Sequence, residues 1–426
     1  MDQPTTLKRE LNLLEVTLSG TGIILGAGVY VLIGDAAALA GNAVWLSFAL
    51  AALIAAFTAL SYAELSSMFP TAGAEYDYVA YAFHQRLAFI VGIMVILSGV
   101  VGAAAVSVGF AGYFSSFTSL PLVPVAAVLL IGLAVLNSRG IQESTNVAIV
   151  LTLIEAGGLI GIIAIGLPHL GSINYFEMPS GLPGVFAGAA LIFFAYQGFE
   201  EMVKLSEEAE KPETTIPRGL IAALVITTVL YLLVAVAAVS AVGFTSLASS
   251  PAPFAEVANT YLGGSGATLF TVIALFATAN TVLLMLIASS RLAYGMAKRG
   301  SLPVQLAMVH RTLGTPWVAI VAVTVASLAF VLLGDIRVIA EITTFTLYVT
   351  FFVINAAVIA LRFSSPKLPR PFRVPLSLAG IPITPVLGGV VCVFFLFQLP
   401  QSVLLIGTAL LLVTLGISYV ALQKGG

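Results

Sequence analysis

The sequence predicts an all-α integral membrane protein with 12 transmembrane helices, and three observations carry that prediction. Of its 426 residues, 60% are hydrophobic and only 8% charged, whereas a water-solvated domain carries about 25% charge. Twelve apolar runs match the roughly 20 residues that a helix needs to cross a bilayer. They are 14–40, 43–68, 87–118, 121–136, 146–167, 183–203, 216–244, 266–295, 316–334, 338–362, 381–399 and 402–421. The third observation is the placement of the basic residues. With the N-terminus inside, Lys8, Arg9, Arg86, Arg139, Lys204, Lys211, Arg218, Arg291, Lys298, Arg299, Arg311, Arg362, Lys367, Arg370, Arg373 and Lys424 all fall on the cytoplasmic side. Only Arg337 falls outside. This is the positive-inside pattern, and it predicts a multi-pass protein of the cell (inner or plasma) membrane with both termini cytoplasmic.

The composition also excludes other classes. A net charge of −2 leaves no basic excess for nucleic acid. The single cysteine, Cys392, rules out an intrachain disulfide or a cysteine-built metal centre. An intramembrane enzyme needs a constellation such as HExxH or paired aspartates. His84, His169 and His310 are far apart in sequence, at or near loops, and are expected to be solvated. No cofactor and no obligate protein partner are expected.

Along the chain, residues 1–13 form a polar cytoplasmic tail, and the run after it is too long and glycine-broken for a cleaved signal peptide. The first span carries Gly20, Gly22, Gly26, Gly28 and Gly34. Glycine costs nearly 1 kcal/mol per helical position relative to alanine, so Gly26-Ala27-Gly28 is a weak point at mid-span. In the segment 69–86, Tyr76, Tyr78 and Tyr81 are expected to form an interfacial aromatic belt. The fourth span is short and proline-bounded. The fifth carries Glu155, and a carboxylate at membrane depth is a functional candidate by default. The sixth has Gln197, Gly198 and Glu200 where its helix should still be embedded, followed by a charged helical extension stopped by Pro212. The outer loop 245–262 predicts a short helix begun after Pro251 and Pro253, serving as a lid or as a connector.

Small residues in the first and sixth spans are compatible with close helix packing. Two interrupted spans five helices apart, however, are what an inverted repeat produces, with unwound backbone at the midplane forming a binding site. Lipid offers no hydrogen bonds, so freed N–H and C=O groups persist only where protein, water or a solute satisfies them. A half-helix N-terminus suits a carboxylate, and the carbonyls upstream suit an ammonium group or a cation. One broken helix therefore matches a zwitterion.

Four stretches carry a resemblance along essentially the whole chain: GIILGAGVYVLIG, SYAELSSMFPTAGAEYDYVAYAF, FFAYQGFEEMVKLSEEAEKPETTIPRGL and ASSRLAYGMAKRGSLP. In this order and spacing the chain resembles the amino acid–polyamine–organocation (APC) transporter superfamily. The resemblance implies a LeuT-like fold with discontinuous helices 1 and 6. Residues 14–167 and 183–362 would be two inverted five-helix repeats, and 381–421 two peripheral helices. By matching position, Ala27 and Gly28, with Gly26 beside them, would offer backbone N–H groups to a substrate carboxylate. Carbonyls near Ile23 and Ile24, with those of Phe194, Ala195 and Gln197 beside Gly198, would receive its amino group. Phe194 would cover the solute, and Phe194, Tyr196 and Glu200 would form the gate. For Glu200, a helix-tail carboxylate facing cytoplasmic water is the competing expectation.

Many proton-coupled relatives carry a lysine in the fifth span where this chain has Glu155. Glu155 would then be a protonatable carrier or, beside Ser289 and Ser290, an oxygen ligand for Na⁺; a structural pairing with a neighbouring helix is the remaining alternative. The partners are thus an amino acid, H⁺ or Na⁺, and the bilayer. The chain lacks GxxxxGK[ST], so it cannot grip nucleotide phosphates in that manner, and the drive would be an ion gradient or exchange. Phe194, Tyr196, Met285 and Ala103 to Ala105 suggest an apolar pocket and a neutral amino acid, with cationic amino acids and polyamines as alternatives. A non-transporting sensor of the same fold is the rival function.

Overall fold

The computed structural model describes residues 11–71, 74–139, 141–310 and 313–423, with side chains for all of these but 141–149, 207 and 420–423. The helices are α1 (Leu13–Ile24), α2 (Gly28–Ala40), α3 (Val44–Met68), α4 (Ala74–Ala82), α5 (Gln85–Phe114), α6 (Leu122–Arg139) and α7 (Ile141–Gly166). After them come α8 (Gly181–Ile192), α9 (Pro212–Ser249), α10 (Pro253–Lys298), α11 (Trp317–Val331), α12 (Ile336–Ser364), α13 (Ile383–Leu396) and α14 (Gln401–Gln423). Among the described residues 9 segments are long and apolar enough to cross a membrane, and α1, α11 and α13 are shorter apolar helices. Each apolar run read from the sequence is occupied by a helix or by two half-helices. Lys8, Arg9, Arg311 and Lys424, on which the expected topology partly rests, lie outside the described residues.

The entry to α1 is fixed by its own sequence. Asn12 accepts from the N–H groups of Leu14 and Glu15, and Glu15 accepts from the Asn12 N–H at 2.9 Å. This reciprocal cap satisfies donors that a helix start leaves open. In the middle of the bundle, α5 packs along α10 and α12, and α3 along α9. A buried ion-pair cluster fastens one end: Glu64 on α3 accepts from Arg362 of α12 at 2.6 and 3.0 Å. Arg370 stands 3.3 Å from Glu64, and the Val374 N–H donates to it at 2.8 Å. The connection after α12 is thereby held against α3.

Two local expectations change and a third holds. Pro212 opens α9 as its first residue rather than stopping an extension, because a first-turn residue needs no N–H donor; the stretch before it, Phe199–Glu207, is 3-10 helix. Tyr76 and Tyr78 lie on α4 and are buried, leaving only Tyr81 of the three exposed, so no belt forms there. The short helix expected after Pro251 and Pro253 does begin at Pro253, as the first part of α10, and the chain turns at Gly263 (φ +67°) before the long apolar part. Phe254 on that first part is buried edge-on against Tyr30, with ring centroids 5.0 Å apart.

Candidate functional site

The first interruption has a complete hydrogen-bond account. α1 stops at Ile24, and Leu25 leaves helical geometry with ψ 76° while its N–H still reaches the Thr21 carbonyl at 2.8 Å. The Gly26 N–H turns back onto the Ile24 carbonyl at 2.7 Å. The Ala27 N–H donates sideways to the Thr281 hydroxyl of α10 at 2.8 Å. α2 then starts at Gly28, with Val31 donating to the Ala27 carbonyl at 3.0 Å. The N–H groups of its first turn have no partner within the helix, which gives that end its positive polarity.

The second interruption is longer. α8 ends at Ile192, Phe193–Tyr196 is 3-10 helix, and Gln197 is extended with ψ 140°. Gly198 sits at φ +120° before the 3-10 segment Phe199–Glu207. Only glycine takes that angle readily. Glu200 accepts from the Gly198 N–H at 2.8 Å and is 2% exposed. Its carboxylate thus caps the break and does not face water, which corrects the helix-tail expectation.

The two interruptions touch backbone to backbone. A Cβ on Gly28 would lie 2.6 Å from the Ala195 Cα, and one on Gly198 would lie 2.7 Å from the Ile23 carbonyl oxygen. Tyr231 of α9 bridges them, its hydroxyl 2.9 Å from the Ile24 carbonyl and 3.1 Å from that of Ala195. Around this junction lies a cavity of about 70 Å³, several times the 10–15 Å³ or so that admits one water. Gly26, Gly28, Phe194, Ala195, Gln197 and Gly198 line it. It runs from the breaks toward the end where α1 begins, past Ser98, Ser289 and Leu292 to Glu201 and Lys204, and no residue of α2 beyond Gly28 takes part. The opposite side is filled by Tyr30, Tyr113, Tyr196 and Phe254, all buried.

Several candidate residues meet here. Ile23, Gly26, Gly28, Phe194, Ala195, Gln197, Gly198 and Met285 line the cavity. The Gln197 Oε1 is buried and has no hydrogen-bond partner among the described residues, an unmet acceptor beside the cavity. Others are displaced from their expected roles. The Ala27 N–H is already engaged by Thr281. The Ile24 and Ala195 carbonyls already face the Tyr231 hydroxyl, although a carbonyl keeps a second lone pair. Tyr196 points away, its hydroxyl donating to the Phe48 carbonyl at 3.2 Å. Ala103 to Ala105 are buried within α5 and do not line the cavity.

Glu155 lies on α7, 0% exposed, and neither carboxyl oxygen has a hydrogen-bond partner among the described residues. Its backbone carbonyl accepts from Tyr30 of α2 at 2.6 Å. Asn280 of α10 stands beside its carboxyl, donating to Thr152 at 3.0 Å while its own Oδ1 is unpartnered. Ser289 and Ser290 do not join this group. They follow Asn280 by nine and ten residues, about 14 Å along the helix. Ser289 faces Gly99 of α5, and the Ser290 hydroxyl donates to the Ile287 carbonyl at 3.1 Å.

Sequence reasoning missed Tyr231, Thr281 and the Lys204–Glu201 pair (2.6 Å) at the cavity mouth. Tyr231 and Thr281 sit inside uninterrupted apolar runs, where a hydroxyl looks like ordinary helix packing. The detectable signal was a polar group at mid-span in the helices that must flank two breaks.

Comparison with known proteins agrees with this architecture. The family model described as "Amino acid permease" matches residues 11–420. The chain is 32% identical over 416 residues to the branched-chain amino acid permease BcaP of Bacillus subtilis, covering 92% of this chain and 89% of that protein. It is 32% identical over 424 residues to the methylthioribose transporter of the same organism, covering 93% and 89%. Against the vacuolar cationic amino acid transporter 4 of Arabidopsis thaliana, identity is 30%, covering 86% of this chain and 65% of that protein. These are transporters and not enzymes, and with the family model spanning nearly the whole sequence, the chain belongs to the amino acid permease family of the APC superfamily.

Proposed function

We propose that this permease is a secondary active transporter that moves neutral amino acids by alternating access and is driven by protons. The observation that carries this reading is the junction of the two interrupted helices. It combines a bare helix start at Gly28, an unpartnered Gln197 oxygen and a cavity between them. A zwitterion needs both polarities within a few ångströms, and backbone dipoles supply them without a charged side chain. The charged residues lining the cavity are Glu201 and Lys204, which neutralise each other. That lining favours a neutral side chain over a cationic one.

In this reading the chain crosses the membrane 12 times, with 14–167 and 183–362 as inverted five-helix repeats, 381–421 as peripheral helices and both termini cytoplasmic. A cavity running toward the start of α1 then makes this the cytoplasm-facing state. The coupling role falls to Glu155. A buried carboxylate without a counter-charge costs several kcal/mol, and one proton on it supplies a donor for the open Asn280 Oδ1 beside it. Sodium is less well served, since Ser289 and Ser290 stand elsewhere on α10.

Uptake into proteoliposomes tests the proposal. Labelled leucine should accumulate under an inwardly directed proton gradient and do so equally with Na⁺ replaced by K⁺. A Na⁺ requirement would overturn proton coupling. Binding without accumulation or exchange would favour a sensor, and uptake of methylthioribose in place of amino acids would overturn the substrate class.

A further inference from the structure

A second, larger cavity lies at the same end of the bundle. Its volume is about 370 Å³, and it sits between the end of α6, the last turns of α10 and the connection that follows them. Asn137, Ser290, Arg291, Tyr294, Leu313 and Thr315 line it. We propose that this cavity is a binding site for a phosphate-type anion, the headgroup of an anionic lipid or a soluble phosphate, held by the Arg291 guanidinium and the Asn137 amide.

The donors are present and unused. Arg291 is exposed at the cavity and has no hydrogen-bond or ion-pair partner among the described residues. The acidic group whose charge reaches it is Glu208, which makes no contact with it. A guanidinium offers N–H donors in a planar fork that matches two phosphate oxygens at once. Asn137 lines the cavity and is 6% exposed, and its closed-off Nδ2 has no acceptor among the described residues, so exchanging the two ends of the amide breaks no hydrogen bond to a described residue and turns the NH₂ to the cavity. Leaving a buried donor unmade costs about 1–3 kcal/mol, so the NH₂ gains by turning to a ligand oxygen in the cavity.

The rest of the lining suits the same chemistry. Among the described residues that line the cavity there is no carboxylate to repel an anion. The far wall is fixed, because the Thr315 hydroxyl donates to the Ser138 carbonyl at 2.8 Å and the His310 N–H donates to the Thr315 carbonyl at 2.8 Å. Val309 and Leu313 are 44% and 42% exposed and form an apolar rim, which fits the glycerol and upper acyl region of a lipid. Arg291 precedes the end of α10 by seven residues, about 10 Å, a depth from which its side chain reaches the headgroup layer. Ser290 lines this cavity while Ser289 lines the central one. An anion held here therefore braces the stretch of α10 that walls the substrate cavity.

The test uses the full chain in nanodiscs of phosphatidylcholine, with or without phosphatidylglycerol, and with inorganic phosphate or chloride as the added salt. The unfolding temperature of wild type should rise with phosphatidylglycerol, with phosphate, or with both. A response to phosphatidylglycerol alone assigns the lipid headgroup, and a response to phosphate in phosphatidylcholine discs assigns the soluble anion. Arg291→Gln should lose that rise, and Arg139→Gln, an exposed arginine at the end of α6, should keep it. If Arg291→Gln does not give monodisperse protein, Asn137→Asp serves instead, because its carboxylate would repel the anion and abolish the response. No rise in wild type, or an unchanged rise in either cavity variant, overturns the proposal.

Discussion

The hydroxyl of Tyr231 stands 2.9 Å from the carbonyl oxygen of Ile24, at the last residue of α1, and shares its one hydrogen with the Ala195 carbonyl at 3.1 Å. A single side chain on α9 thus ties together the two places where helices come apart. In the proposed mechanism the second lone pairs of the same carbonyls receive the substrate ammonium, and the tyrosine holds them in register for it.

Tyr231→Phe should therefore lower the stability of the ligand-free protein by about 1–3 kcal/mol, the cost of leaving buried acceptors without their donor. Substrate should raise the unfolding temperature of the variant more than that of wild type, because its ammonium supplies the missing donor. Equal ligand-induced shifts would show that the hydroxyl is unrelated to the amino-group position.

Gly28 and Gly198 should resist even alanine. The added Cβ meets the Ala195 Cα at 2.6 Å in the first case and the Ile23 carbonyl at 2.7 Å in the second, and overpacking typically costs about 1–3 kcal/mol. Gly198→Ala adds the strain of its positive φ. Thermal unfolding of the two variants, with Gly157→Ala as a control in open space, checks this. A destabilisation no larger than the control's would contradict the close packing of the two breaks.

Glu155→Gln should abolish proton-driven accumulation while preserving exchange of labelled for unlabelled substrate. Glutamine keeps the shape and a donor for Asn280 but cannot release a proton. Accumulation equal to wild type, with unchanged pH dependence, would remove Glu155 from the coupling step.

Glu75, on α4, gives a pH signature. Burial pushes its carboxyl above the usual carboxylate range; Lys204 opposes the shift and Glu201 adds to it. Below that range both the folded and unfolded states hold the proton, and wild type and Glu75→Gln should be equally stable. As pH rises, the folded state keeps a proton that the unfolded state releases, so wild type loses stability through the raised folded value while the glutamine variant does not. The gap should open as pH rises above the usual carboxylate range, read as a difference in denaturation midpoint across a pH series. A gap that appears on acidification instead would reverse the assignment.

The breaks were legible in the sequence because glycine clusters and polar residues are costly inside membrane helices, and Gly26-Ala27-Gly28 and Gln197-Gly198 stood out on that ground. Their extent was less so. The unwinding after α8 begins at Phe193, in a stretch whose side chains read as ordinary apolar helix. Tyr76 and Tyr78 were misjudged because aromatic residues near a boundary fit the interface and a buried helix equally well. Pairings across helices, such as Ala27 with Thr281 and Glu64 with Arg362, depend on which faces meet and carry no local signature. The same holds for Glu155, whose depth was evident while its neighbour Asn280 was not.

In the proposed mechanism, opposed backbone dipoles at the two breaks recognise a zwitterion. Competition against labelled leucine uptake by leucine, by the amine that lacks its carboxylate and by the acid that lacks its amino group tests this most directly. Leucine should compete, and each single-ended analogue should be weaker by orders of magnitude. Competition by either analogue at concentrations comparable to leucine would contradict it.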